Sequence, residues 1–213
     1  MMFDFIKDLF NKNQQAKLTD AKYSYLFEPA PPDEWACLDL ELTGLDPKTD
    51  HILSIGAVKI TKDATGYIID TANPLSIVCR PPIMPDTDSI VIHGLRPMDL
   101  ENGTSYSDML DQLLPFIGSR PVVGFYVSMD IAFLNTLIKP KIGTKLPNTL
   151  IDVSTLDVKL RQKTNKNSDI PIDKRHLSEL LGAYDVPILP AHDSMNDALM
   201  TAMLFCHLKH QLG

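Results

Sequence analysis

The sequence has no surplus of positive charge: 27 acidic residues stand against 20 lysines and arginines, a net charge of -7. That excludes a protein that holds nucleic acid by bulk positive charge. It leaves room for one whose surplus carboxylates gather round metal ions, which reverse the local field. Cysteine is scarce as well. Cys37, Cys79 and Cys206 are widely spaced, odd in number and free of any C-x-x-C pair, which excludes a zinc ribbon, a dithiol redox centre and a disulfide framework. Reduced structural thiols are expected. No stretch approaches the roughly 20 continuous apolar residues of a membrane span. The opening residues place Asp4 and Asp8 among apolar positions and lack a basic leader and a small-residue cleavage site, so they do not read as a signal peptide. A cytoplasmic protein with no membrane partner is expected. Repeats and low-complexity tracts are missing too.

What is present is an ordinary globular composition: 213 residues, 44% hydrophobic and 22% charged, enough for one substantial core. Residues 1–33 read as a short N-terminal helix, with Phe3, Ile6 and Phe10 on one side, and a polar, proline-containing extended lead-in. The compact domain is expected over 34–213. It opens on Trp35-Ala-Cys-Leu-Asp39-Leu-Glu41-Leu-Thr43-Gly44-Leu45, a strand pattern in which Trp35, Cys37, Asp39 and Glu41 share one face. Two neighbouring acids repel unless a cation, a proton or water intervenes, and a divalent cation with oxygen ligands is the commonest remedy. The bland alternative is the solvent-facing edge of an ordinary strand.

Residues 51–60 and 67–79 continue as second and third strands with short links, which implies an antiparallel meander. A proline-rich loop then encloses Ile92 and His93. Residues 106–117 have helical spacing ended by Gly118. Residues 121–126 read as a short buried strand, 130–138 as a helix halted near Pro140, and 149–153 as a fifth strand running into a helix over 154–160. Helices over about 176–181 and 194–210 complete the chain. This order implies an α/β sandwich, with a mixed five-stranded sheet and helices on both faces. Such sheets place active sites at strand ends and at the starts of the following helices. Asp130 falls at one such junction, where capping the helix is its structural alternative. Ahead of the last helix, His192 sits on a loop, Asp193 or Ser194 is the natural cap, and Asp197 lies in the first turn.

Three motifs, Asp39-Leu-Glu41-Leu-Thr-Gly-Leu, Ser128-Met-Asp130-Ile-Ala-Phe-Leu and His192-Asp-Ser-Met-Asn-Asp197-Ala, come in an order that resembles the DEDDh class of 3′-to-5′ exonucleases, the family of the DNA polymerase III epsilon subunit and RNase T. The resemblance runs from about Trp35 to Leu208 and implies an RNase H-like fold. It further implies two divalent ions, Mg2+ or Mn2+, held by Asp39, Glu41, Asp130 and Asp197, with His192 as general base and nucleoside 5′-monophosphate as product. Leu42, Thr43, Ile92 and His93 would grip the 3′-terminal nucleotide. Phe133 either adds a stacking surface or packs its helix on the sheet. The cluster Lys159, Arg161, Lys163, Lys166, Lys174 and Arg175 either follows the phosphate backbone or is solvated surface.

One departure stands out. The family often carries G-H-N-x-x-F-D where this chain reads Gly124-Phe125-Tyr126-Val-Ser-Met129-Asp130, so aromatics replace the polar pair. The expected substrate is the 3′ end of single-stranded nucleic acid, DNA in preference to RNA. An RNA-trimming enzyme is the alternative within the class. A degenerate, non-catalytic binding module is the alternative outside it, favoured by the missing His-Asn pair. A DNA polymerase or repair factor is the protein partner that the resemblance allows. The end at Gly213 directly after the last helix, without a polar tail for polymerase docking, favours a stand-alone enzyme.

Overall fold

The computed structural model describes residues 13–85, 94–164 and 173–213. β1 (Glu34–Leu42) occupies the middle of the sheet. It pairs antiparallel with β2 (Ile52–Asp63), which in turn pairs antiparallel with β3 (Gly66–Val78). These are the three strands of the expected meander, joined by links too short for a crossover. On its other side β1 pairs parallel with β4 (Val122–Gly124), and β4 pairs parallel with β5 (Leu150–Asp152), giving the order β3-β2-β1-β4-β5.

The helices fill the crossovers. α1 (Pro97–Glu101) and α2 (Tyr106–Ile117) follow β3, and α3 (Val127–Ile142) joins β4 to β5. After β5 come α4 (Val153–Thr164), α5 (Leu177–Ala183) and α6 (Ser194–Leu212). α2 and α3 bury Met109, Leu113, Ile131 and Phe133 against Ala36, Leu38 and Leu40 on one face of the sheet. The other face carries α4, α5 and α6, whose Leu160, Leu181 and Phe205 pack in one cluster with Cys37, Val58 and Val123. β1 is therefore covered on both sides, with Ala36, Cys37 and Leu38 fully buried, and the solvent-facing edge is excluded.

Two boundaries differ from the sequence pattern, for local reasons. α3 begins at Val127, three residues ahead of Asp130, because the chain leaves β4 through Tyr126 in the left-handed region (φ 51°, ψ 36°). It also carries Pro140 within its last turn and stops at Gly143, at φ 87°. Packing likewise starts ahead of Glu34: a 3-10 helix over Ala21–Phe27 buries Tyr23 and Leu26 against the α2/α3 face, so the lead-in is not extended throughout. The expected N-terminal helix over residues 2 to about 15 lies outside the described residues up to residue 12, with residues 13–15 helical, and the segment holding Ile92 and His93 lies outside them, as does Lys166. All three cysteines are free thiols, as expected. No helix among the described residues is long and apolar enough to cross a membrane.

Candidate active site

Asp39 and Glu41 point from the central strand toward the face that α6 covers. Directly opposite Asp39 in the antiparallel ladder is Gly56, and opposite Glu41 is Ser54. Side chains of paired residues share a face, so a side chain at 56 would stand beside Asp39. The head of α6 fills that space instead: a Cβ on Gly56 would fall 2.2 Å from the Ser194 carbonyl oxygen and 2.4 Å from the Met195 nitrogen. Beside it the Ser54 and Ser194 hydroxyls are hydrogen-bonded at 2.9 Å. Asp193 caps the helix, accepting hydrogen bonds from the Met195 and Asn196 amides, both at 3.0 Å. The cap and the missing side chain together bring Asp197, in the first turn, over the strand.

The outcome is a tight group of acids. One carboxylate oxygen from each of Asp39, Glu41 and Asp197 lies within 4.8 Å of the others. Asp130 is buried in the first turn of α3, and Tyr126 takes the N-cap position. The capping role considered for Asp130 is thus corrected. Its carboxylate lines the same cleft, where its charge opposes the ionisation of Asp39 and the charge of Glu41 opposes its own. Burial first, then neighbouring carboxylates, pushes Asp39 and Asp130 well above the usual carboxylate range. For Glu41 burial and the charge of Asp197 raise the value to about 7. Asp197 is raised by burial, though a hydrogen bond from the His192 amide to its Oδ2 at 3.3 Å works the other way. Its Oδ1 is buried without a hydrogen-bond partner.

These observations test whether a divalent cation fits. Clustered, half-buried to buried hard oxygen donors that resist ionisation together, one with an unsatisfied oxygen, are what a dication would relieve. The fit is good.

Above the acids opens a cleft of about 490 Å3, with Leu42, Thr43, Leu45, Phe125, Tyr126, Met129 and His192 on its walls. Its rim after β1 is held by a knot of hydrogen bonds. The His51 amide donates to Thr43 Oγ1 at 2.9 Å, and the Asp46 amide donates to Asp50 Oδ2 at 2.8 Å. Gly44 leaves room for that Asp50 carboxylate, which a Cβ would meet at 2.5 Å. His192 is exposed on the opposite side, in the left-handed region at φ 63°.

The chain matches the RNase T exonuclease model over residues 36–205, four-fifths of its length. It belongs to this exonuclease family, in the DEDDh type. Similar proteins agree. The chain is 29% identical to a PolC-type DNA polymerase III from Thermotoga petrophila over 188 residues, 88% of this chain and 12% of that one. It is 26% identical to the DNA polymerase III epsilon subunit of Aquifex aeolicus, covering 82% of this chain and 80% of that one. An oligoribonuclease from Haemophilus ducreyi is 28% identical over 64% of this chain and 83% of its own. The chain thus spans about an eighth of the PolC-type polymerases. Among solved structures, E. coli exonuclease I in complex with a dA16 oligonucleotide shares the fold, with a TM-score of 0.65 at 17% identity over 84% of this chain and 41% of that one.

The five residues of the three motifs therefore converge, and Leu42 and Thr43 line the cleft beside them. Phe133 does not: it is 1% exposed in the α2/α3 core, so the packing role holds and the stacking one is corrected. The basic cluster is mostly engaged elsewhere. Arg161 and Arg175 pair with the buried Asp157, and Lys163 donates to the Leu212 carbonyl. Lys174 instead lies against a wall residue of the cleft, with its ammonium 5.2 Å from the Tyr126 ring centre. Two contributors escaped sequence reasoning. A glycine inside a strand pattern, such as Gly56, is a known sign of close backbone approach. The rim aromatic Tyr126 registered only as a departure from the family pattern.

Proposed function

We propose that this chain removes nucleotides one at a time from the 3′ end of single-stranded nucleic acid, DNA in preference to RNA. The observation that carries the reading is the tight group of Asp39, Glu41 and Asp197, with the buried Asp130 nearby, beneath an open cleft that Asp39, Glu41 and Asp130 line. Asp39, Glu41, Asp130 and Asp197 would hold two divalent ions, Mg2+ or Mn2+, which when bound acidify water and stabilise the charge on the leaving oxygen.

The chain's own residues supply the rest. Leu42 and Thr43 flank the terminal nucleotide at the cleft wall, and by family resemblance Ile92 and His93 would also grip it. His192, on the exposed side of the cleft, takes a proton from the attacking water as general base. The water oxygen bonds to phosphorus, the bond to the neighbouring 3′-oxygen breaks, and that oxygen takes up a proton. A nucleoside 5′-monophosphate leaves, with a strand one residue shorter.

DNA is favoured because the polymerase III relatives span most of the chain. The oligoribonuclease similarity is the observation on the RNA side. A DNA polymerase or a repair assembly is the partner class consistent with those relatives. The test is digestion of 3′-labelled DNA and RNA oligomers by purified protein with Mg2+ or Mn2+. Metal-dependent release of 5′-monophosphates, abolished by Asp39→Asn and resisted by circular single strands, is expected. Cleavage that survives a chelator would refute the metal role, and cutting of circles would make the enzyme an endonuclease.

A further inference from the structure

Tyr126 stands out from the rest of the cleft. A bulky residue in the left-handed region is an outlier, since its Cβ crowds its own backbone where glycine or asparagine would rest easily. The strain is not recovered by burial, because Tyr126 is 37% exposed. Phe125 supports it from behind, with ring centres 4.4 Å apart, and Phe125 itself packs on the α6 side of the core. The ring is thereby fixed on the rim of the cleft that Asp39, Glu41 and Asp130 also line. Lys174 completes the arrangement. Its ammonium lies over the ring and 3.9 Å from the Asp152 carboxylate, and the side chain is 45% exposed.

We propose that Tyr126 and Lys174 form a specificity-determining contact of this chain: the ring stacks an unpaired base of the bound strand, and the ammonium takes a phosphate of that strand. The inference rests on the nuclease reading and names how the site selects unpaired ends. Stacking accepts any base, since each has a π face, but it demands that the base be free of its pairing partner. The cation occupies the ring face in the free protein, and a base arriving there releases it toward the strand's own charge. An ammonium held at 3.9 Å by one half-buried carboxylate and by a ring, with its own side chain 45% exposed, has little to lose in that exchange.

The test reads affinity without turnover, using the full chain and a fluorescent oligothymidylate with Ca2+ in place of Mg2+. Tyr126→Asn keeps a residue at ease in the left-handed region while deleting the ring, and should weaken binding roughly five- to a hundredfold. Tyr126→Phe should bind like the wild type. Lys174→Gln should lower the slope of log affinity against log salt by about 0.7 to 1, as expected for one lost phosphate contact. On an oligomer abasic at its 3′-terminal residues, the Asn variant and the wild type should bind equally. Undiminished affinity of Tyr126→Asn for the intact strand, or the same loss on the abasic strand, overturns the stacking role. An unchanged salt slope in Lys174→Gln overturns the phosphate role. The nuclease reading fails separately, if wild-type protein with Mg2+ or Mn2+ releases no nucleotide while these affinities still differ.

Discussion

Replacing Gly56 by alanine should disable the site from a position that offers it no functional group. The new methyl would lie 2.2 Å from the Ser194 carbonyl oxygen and 2.3 Å from its carbon. Comfortable contact needs about 3.5 Å, so the head of α6 would have to recede by roughly 1 Å. Backbone cannot swing aside as a side-chain tip can, and both the Ser54 to Ser194 hydrogen bond and the Asp193 cap move with it. Overpacking of this kind costs about 1–3 kcal/mol of stability. The larger effect is local. Asp197 rides on the displaced turn, and a misplacement of about 1 Å in a catalytic constellation costs on the order of 10²-fold in rate. We expect Mn2+ affinity, by calorimetric titration, to fall at least about tenfold. Exonuclease kcat/KM should fall about a hundredfold, with the circular dichroism spectrum unchanged. Gly182→Ala is the control: a Cβ there meets nothing within 4 Å, so it should raise stability by roughly 0.5–1 kcal/mol and leave activity alone. Wild-type metal affinity and turnover in Gly56→Ala would refute the claim that the missing side chain sets the site.

The remaining expectations concern the acids and the base. Glu41 titrates at about 7 in the folded chain against an ordinary 4.5, so between those values the native state holds more protons than the unfolded one. Stability of the metal-free protein should therefore fall as pH rises from 4.5 to above 7, by up to about 3 kcal/mol from this group. Denaturant melts across that window, repeated with Mn2+ at pH 8, should show the decline and its reversal; a flat metal-free profile would contradict it. Asp130→Ala should reduce turnover severely, as for any member of a two-ion site, and a nearly unchanged rate would mean that the site works without it. His192→Ala should keep metal affinity near wild type while slowing turnover roughly 10²- to 10⁴-fold. A mutant retaining wild-type turnover would remove His192 as the base.

Local chemistry made a good part of this protein legible from its residues alone. The two-residue alternation of β1 assigned Asp39 and Glu41 to one face, the short links announced the meander, and Asp193 or Ser194 marked the start of α6. Those signals survive because each depends on neighbours a few positions away. The four acids and His192 could also be named, since their spacing within three motifs resembles a known pattern. Their convergence needed the fold. Asp197 meets Asp39 across more than 150 residues of chain because α6 lies on a strand that lacks a side chain at Gly56, and no local pattern encodes that approach. Phe133 could be read either as a stacking surface or as packing, and its burial between α3 and the sheet decided for packing. Arg161 and Arg175 looked available until the fold brought Asp157 against them, whereas Lys174 was carried to the Tyr126 ring. Periodicity tells which way a side chain points from its own element. What it then meets depends on how distant elements pack, and only the tertiary structure holds that information.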